Sequence, residues 1–139
     1  MTEGRILAID YGSKRIGLAL SDELRITGQP YQTLVNTSFD ENVRQIQDIV
    51  EKENVSVIIV GLPRRLDGSV GEMGQHAKEL AKALREKLPI QVRMWDERFS
   101  THAAERALLE GDVRRKKRKQ VVDQTAAAWI LQGYLDSLI

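Results

Sequence analysis

The stretch ILAIDYGSKRIGLALSD, from Ile6 to Asp22, decides the fold. Two apolar runs, Ile6 to Ile9 and Ile16 to Leu20, are typical of strands, and the glycine and serine of the segment between them supply turn chemistry. The sequence therefore predicts a hairpin at the start of the chain. Its first strand ends on an acid, Asp10, although the residues before it are apolar.

Helices and strands alternate in the rest of the chain. Residues 30–35 are predicted as a third strand, and Ser38 and Glu41 after it have the spacing of a capping box at the start of a helix. The run VSVIIV at 55–60 lacks polar alternation, which indicates a parallel strand covered on both faces. The remaining predicted elements are a helix from Glu72 to Lys87, a strand at 90–95, a helix from Thr101 to Leu109 and a last helix from Val121 to Leu138. This order predicts an α/β fold with a mixed sheet wrapped by helices.

Length and composition exclude several classes of protein. A chain of 139 residues fits one domain, and 42% hydrophobic and 29% charged residues with a net charge of +1 describe an ordinary globular protein. The absence of cysteine excludes disulfides and thiolate metal sites, which fits a reducing compartment. The longest apolar run is far too short to span a membrane, and no signal-peptide pattern opens the chain. We therefore expect a cytoplasmic protein with no membrane association.

Acidic residues follow the strands where an α/β sheet normally binds its ligand. Asp10 ends the first strand, Asp96 and Glu97 follow the fifth, and Asp123 lies in the last helix on the sector of Ala127. Clustered carboxylates repel one another and normally need a cation, and hard oxygen ligands favour Mg²⁺ or Mn²⁺ over zinc. Simpler roles are also open: Asp10 can cap a turn, Asp123 can complement the helix dipole, and the pair at 96–97 can be solvated.

Basic residues indicate a polyanionic partner. Arg114 to Lys119 form an unbroken run of cations shortly before Asp123, and we expect this segment to be a loop that binds the phosphate backbone of a nucleic acid. A charge run can also be only a solvated surface. Other residues predicted to bind nucleic acid are Lys14, Arg15, Arg64, Arg65, Ser100 and Thr101, with the run Arg114, Arg115, Lys116, Lys117, Arg118 and Lys119.

Four segments together resemble the successive motifs of the YqgF (RuvX) family: AIDYGSKRIGLALSD, VIIVGLPRRLDGSVG, WDERFSTHAAE and DQTAAAWILQGYL. The resemblance covers nearly the whole chain. That family belongs to the ribonuclease H-like superfamily, which includes the Holliday junction resolvase RuvC, and its bacterial members are described as pre-16S ribosomal RNA nucleases. The sequence departs from the usual family pattern at His102, Arg64 and Arg65, and none of these positions is one of the acids.

The resemblance implies a fold and a site. It implies one ribonuclease H-like domain over residues 1–139, with a five-stranded sheet in the order 3-2-1-4-5 whose second strand is antiparallel. It also implies that Asp10, Glu97 and Asp123 are the catalytic acids and hold Mg²⁺ or Mn²⁺, while Asp96 has no assigned role. Cleavage through two metal ions, leaving 5′-phosphate ends, is the reaction that the superfamily implies.

The implied substrate is precursor 16S rRNA, with ribosomal particles as further partners, and three alternatives stay open. A four-way DNA junction is the first, and its symmetrical cleavage would require a homodimer rather than a monomer. A non-catalytic RNA-binding factor in ribosome assembly is the second. Nucleotide hydrolysis is the third, because DYGSKRIG resembles the phosphate loop of actin-like ATPases, although this chain has room for only one of their two domains.

Overall fold

The computed structural model describes residues 4–65, 67–97 and 115–138, and for residues 115–125 it describes the course of the helix alone. The strands are β1 (Arg5–Tyr11), β2 (Arg15–Ser21), β3 (Gly28–Val35), β4 (Val55–Leu62) and β5 (Gln91–Asp96). The helices are α1 (Phe39–Lys52), α2 (Glu72–Lys87) and α3 (Arg115–Ser137).

The predicted hairpin is confirmed. Strands β1 and β2 pair antiparallel with Ile9 opposite Leu18 and Asp10 opposite Gly17. A tight turn joins them, in which the Gly12 amide donates to the carbonyl of Arg15 at 2.9 Å. A Cβ on Gly12 would lie 2.6 Å from that carbonyl oxygen, so glycine is required there.

The five strands form one sheet in the order β3-β2-β1-β4-β5, which confirms the predicted order. β1, β4 and β5 run parallel, with Ile9 opposite Val60 and Val60 opposite Met94. β2 is antiparallel to both of its neighbours. The carboxyl ends of the three parallel strands therefore meet at one edge of the sheet, the edge at which open α/β sheets bind ligands.

Helices cover the two faces of the sheet. On one face, Leu7 and Ile9 of β1 and Val60 of β4 pack in a core with α1 and α2. On the other face, Ile6 and Ala8 pack in a core with α3. Strand β4 contributes alternate residues to both cores, as its continuous apolar sequence predicts.

Helix α1 begins as its sequence predicts. The hydroxyl oxygen of Ser38 accepts a hydrogen bond from the amide of Glu41 at 3.2 Å. This bond satisfies one of the amide donors that every helix leaves unpaired in its first turn. The arginine of the next turn, Arg44, pairs with Glu41 and Asp48 on the exposed side of the helix.

Helix α3 begins earlier than predicted, and the expectation of a basic loop at 114–119 is wrong for Arg115 to Lys119. These residues form the first turns of α3, which runs unbroken from Arg115 to Ser137. Arginine and lysine have high helix propensity, and the segment contains no glycine or proline before Gly133, so nothing in it ends the helix. Arg114 and the helix predicted from Thr101 to Leu109 lie outside the described residues.

Within the described residues, no helix combines the length and the apolar character that crossing a membrane requires.

Candidate active site

Asp10 lies at the carboxyl end of β1 on the face of the sheet that α3 covers. It is two residues beyond Ala8, and alternate residues of a strand share a face. Its neighbour on β2 is Gly17, and the register of β1 with β4 continues from Ile9 and Val60 to bring Asp10 level with Gly61. Glycines on both neighbouring strands leave the space beside the Asp10 side chain free of Cβ atoms.

Glu97 reaches into this space from the end of β5. Its Oε1 lies 3.0 Å, and its Cγ 3.2 Å, from the position that a Cβ on Gly61 would occupy. Neighbouring strands lie about 4.8 Å apart, so a carboxylate above Gly61 is one strand spacing from the backbone of Asp10. The topology thus brings two acids that are distant in sequence to the same edge and the same face of the sheet.

Asp123 belongs to the helix that covers this face. It lies within α3, one turn before Ala127, which is fully buried against the sheet with Ile130. Ile130 also contacts Gly61, where its Cδ1 lies 2.7 Å from the Cβ position. The helical period from Ala127 predicts that Asp123 shares this sector of the helix. Its side chain is outside the described part of the structure.

The donor set has the chemistry of a site for a hard cation. Asp10 and Glu97 offer carboxylate oxygens, which Mg²⁺ and Mn²⁺ prefer, and both side chains are only partly exposed. Among the described side chains, no three histidine, aspartate or glutamate residues lie close enough together to hold a metal ion. Asp10 and Glu97 are two of the three acids that the family resemblance implies, and the third, Asp123, is outside the described side chains.

Asp96, to which the sequence assigns no role, forms an ion pair. Its Oδ2 lies 3.2 Å from Nε of Arg64, and only 12% of the Asp96 side chain is exposed. Arg64 also donates from Nη1 to the carbonyl of Gly68 at 3.1 Å. The pair ties the residue before Glu97 to the loop that follows β4, so it restrains the backbone from which Glu97 projects.

The loop from Arg64 to Val70 has internal bonds of its own. Arg64 and Val70 form a β-bridge, and Asp67 accepts hydrogen bonds from the amide and the hydroxyl of Ser69 at 2.8 and 2.6 Å. These bonds hold the pKa of the Asp67 carboxyl below its ordinary value, with the Ser69 hydroxyl as the largest cause. Asp67 is therefore ionised at neutral pH and fixes the turn.

The basic residues predicted to bind nucleic acid are spread over three segments. Lys14 is exposed in the turn after β1, where Arg15 opens β2, and Arg65 is exposed in the loop after β4. Arg115 to Lys119 open α3, the helix that carries Asp123. The loops after β1 and β4 leave from the carboxyl edge of the sheet, which is the edge that holds Asp10 and Glu97. The other members of the predicted set, Ser100, Thr101 and Arg114, lie outside the described residues.

A pair of asparagines supports the turn after β1, and no sequence pattern indicates their role. Asn36 donates from Nδ2 to the carbonyl of Gly12, and its amide donates to the carbonyl of Lys14. Asn42, which is 1% exposed, donates to Oδ1 of Asn36 at 2.8 Å. This network fixes the turn two residues beyond Asp10. Its members come from different elements, so only the folded topology reveals it.

Gly61 is a third residue whose role was not predicted from the sequence. A glycine near the end of an otherwise apolar strand often marks a place where another group approaches the backbone closely. That signal is present in VIIVGL, and the structure supplies the two groups, Ile130 and Glu97.

The sequence matches a known family over most of its length. A family described as "RuvX: Holliday junction resolvase" matches residues 4–137. Relatives from Staphylococcus aureus strains JH9 and Mu50 are each 47% identical over 141 residues, covering 99% of both chains, and both carry the name "Putative pre-16S rRNA nuclease".

Solved structures share the fold at low sequence identity. RuvC of Thermus thermophilus in complex with a Holliday junction substrate aligns with a TM-score of 0.63 at 10% identity, over 96% of each chain. The fowlpox virus Holliday junction resolvase aligns with a TM-score of 0.55 at 14% identity, over 97% of this chain and 99% of the other. The yeast mitochondrial resolvase Ydc2 aligns with a TM-score of 0.54 at 13% identity, over 98% and 80%. These likenesses establish a resolvase-type ribonuclease H fold, as the family resemblance implied.

Proposed function

Because the chain belongs to the RuvX family, we propose that it is a metal-dependent nuclease that hydrolyses phosphodiester bonds in structured nucleic acid, within one domain over residues 1–139. The observation that carries the proposal is the placement of Glu97 above Gly61, level with Asp10 on the neighbouring strand. Two carboxylates at the carboxyl edge of the sheet can supply two ligands of a cation site. We propose Asp123 as the third ligand.

Asp10, Glu97 and Asp123 would hold Mg²⁺ or Mn²⁺ at this edge. A pair of such ions, once bound, would supply activation of water and stabilisation of the leaving oxygen in an in-line displacement. The protein would contribute by fixing the carboxylates: β1 positions Asp10, the Arg64–Asp96 ion pair restrains the backbone before Glu97, and α3 would carry Asp123 to them. The products would carry 5′-phosphate ends.

The basic residues would bring the substrate to these acids. The loops after β1 and β4 start at the edge of the sheet where Asp10 lies, and they carry Lys14 and Arg65, while Arg15 opens β2 directly after Lys14. In α3, the basic run from Arg115 to Lys119 precedes Asp123 by one to two turns. Contacts of this kind bind the phosphate backbone without reading its sequence, so their affinity falls steeply with salt. We propose that Arg64 shares in this binding through the donors that its ion pair leaves available.

Precursor 16S rRNA is the favoured substrate, because that is the substrate named for relatives that match over nearly their whole length. The protein would then act in the cytoplasm, on ribosomal particles or on their RNA. A four-way DNA junction is the second candidate, and it is supported by the description of the family. Symmetrical cleavage of a junction needs two active sites, so this candidate requires a homodimer, whereas RNA processing is open to a monomer.

The test compares two labelled substrates, a precursor rRNA with its 5′ leader and a four-way DNA junction, each with Mn²⁺, with Mg²⁺ and with a chelator. We expect metal-dependent cleavage of the rRNA at its leader. Cleavage of the junction alone would favour the resolvase. Binding without cleavage of either substrate in any metal would contradict the nuclease and favour the assembly factor.

A further inference from the structure

A cavity of about 520 Å³ lies beside the proposed active site, on the opposite face of the sheet. The described residues that line it are Tyr11 and Ser13, from the end of β1 and the turn after it, and Glu72, Met73 and His76, from the first turns of α2. Its volume lies within the range of small-ligand sites. Tyr11 directly follows Asp10 in the chain, so this cavity and the proposed catalytic edge share one strand end.

The cavity offers aromatic and thioether surface. The rings of Tyr11 and His76 have centroids 6.3 Å apart and planes inclined by 33°, so they are not stacked face to face on each other. Met73, which is partly buried, adds polarisable surface. Unpaired nucleobases bind proteins by stacking on tyrosine and histidine rings, and this stacking tolerates any base sequence.

The acidic residues near the cavity favour a base over a phosphate. Glu72 lies 3.6 Å from Nε2 of His76, and Glu79 lies 3.7 Å from its Nδ1. Of these two carboxylates only Glu72 lines the cavity; it can accept a hydrogen bond from an amino group of a base, and its charge, screened because the side chain is 92% exposed, disfavours an anion weakly. Lys14 is exposed on the turn next to Ser13, and its ammonium group can pair with a backbone phosphate.

Hydrogen bonds support the wall formed by the turn. Asn36 donates hydrogen bonds to the carbonyls of Gly12 and Lys14, and the buried Asn42 donates one to the side chain of Asn36. Tyr11 itself packs against the core between the sheet and helices α1 and α2. A base that enters the cavity therefore meets a surface that needs little ordering on binding, which favours affinity.

We infer that this cavity binds one unpaired nucleobase of the substrate, adjacent to the phosphate that would be cleaved at Asp10. The inference rests on the proposed nuclease function and extends it, because it assigns specificity for single-stranded bases next to the cleavage site. Tyr11 and His76 act as stacking residues, and Glu72 faces the edge of the base.

Binding of an RNA hairpin with an unpaired 5′ tail tests this inference in metal-free buffer, which prevents cleavage. The duplex fixes the register of the tail, and one tail base at a time is replaced by an abasic residue. For the wild-type protein we expect one position at which loss of the base weakens binding about 5- to 100-fold. On the intact tail, Tyr11→Leu should bind more weakly than the wild-type protein by the same factor. An abasic residue at that position should then weaken its binding no further.

Control variants separate stacking from structural damage. Tyr11→Phe keeps the ring, so its binding should depend on the position of the abasic residue as that of the wild-type protein does. We call this dependence the abasic profile. Phe39→Leu removes a half-exposed ring from α1 that is not among the residues lining the cavity, and should also keep that dependence. His76→Ala, at a half-exposed helix position, should flatten the profile even if Tyr11→Leu fails to fold.

Two results would overturn the inference in distinguishable ways. If the hairpin binds and is cut when metal is added, but the abasic profile is flat or unaffected by His76→Ala, only the base site is wrong. If the wild-type protein neither binds nor cuts the hairpin, the base site falls together with the proposed function.

Discussion

The carboxylate of Glu97 lies above the backbone of Gly61, with Oε1 3.0 Å from the position that a Cβ on that glycine would take. This close approach joins the end of β5 to the strand beside β1, and Ile130 of α3 packs against the same spot. A single missing side chain on β4 therefore lets an acid and a helix approach the strand end that carries Asp10.

The variant Gly61→Ala tests this relationship. Its Cβ would lie 2.7 Å from Cδ1 of the buried Ile130, so we expect a loss of about 1–3 kcal/mol in the free energy of unfolding, measured in urea. Because the same Cβ also displaces Glu97, cleavage should fall by at least tenfold under conditions where the variant is folded.

Gly28→Ala is the matched control. Its Cβ would lie 2.8 Å from Leu131, so it overpacks the same helix against the sheet without contacting Glu97. We expect a similar loss of stability with cleavage retained. Equal activity losses in the two variants would mean that Gly61 matters only for packing.

Replacing Asn42 with Ala should loosen the turn after β1. The change removes a buried amide that bonds Asn36 and leaves that network incomplete, which costs about 1–3 kcal/mol of unfolding free energy. Thermal or urea unfolding measures the loss. Glu51→Ala, on the exposed side of the same helix, should change stability by less than about 0.5 kcal/mol. A variant at Asn42 as stable as the wild-type protein would show that the network does not hold the turn.

Lys14, in the loop after β1, and Arg64, in the loop after β4, should contribute differently to RNA binding and to stability. Lys14 is exposed, so Lys14→Gln should lower the slope of log binding constant against log salt by about 1 and leave stability unchanged. Arg64 is paired with Asp96, so Arg64→Gln should cost up to about 1 kcal/mol of stability and change the salt slope less. Salt titrations of RNA binding, with urea unfolding of the same variants, decide this. The opposite pattern would make Arg64 the main residue that binds phosphate.

Replacing Arg114 to Lys119 with glutamine should weaken binding of nucleic acid and flatten its salt dependence. Glutamine keeps a high helix propensity, so α3 should remain folded and its circular dichroism signal should not change. The salt slope should fall by about 1 for every phosphate that the variant no longer neutralises. Replacing Lys78, Lys82 and Lys87 of α2 with glutamine removes exposed charge elsewhere and serves as the control. Unchanged affinity of the first variant would show that the basic run is only a solvated surface.

Local patterns predicted much of the fold, and long-range interactions explain what they missed. The hairpin followed from two apolar runs around Gly12, and the buried character of β4 followed from its unbroken apolar sequence. The start of α3 was placed too late, because a run of cations indicates solvent exposure but does not distinguish a loop from an exposed helix.

For the candidate site too, the sequence indicated some residues and long-range contacts explain the others. Asp10 and Glu97 could be chosen because acids that follow parallel strands converge at one edge, and the family resemblance selected Glu97 over Asp96. The ion pair of Asp96 with Arg64, and the bond from Asn36 to Gly12, join residues more than 20 positions apart. No short stretch of sequence encodes such pairs, so they emerged only from the folded arrangement.

The central claim is that Asp10 and Glu97 act as one metal site, and cleavage by single and double variants tests it most directly. The rates of Asp10→Asn, Glu97→Gln and the double variant are measured on the substrate that the wild-type protein cuts with Mn²⁺, with Glu51→Gln as a folded control. We predict that each single change abolishes metal-dependent cleavage and that the double variant loses no more, because the residues act as a unit. A single variant at either position that cuts at the wild-type rate would contradict the account.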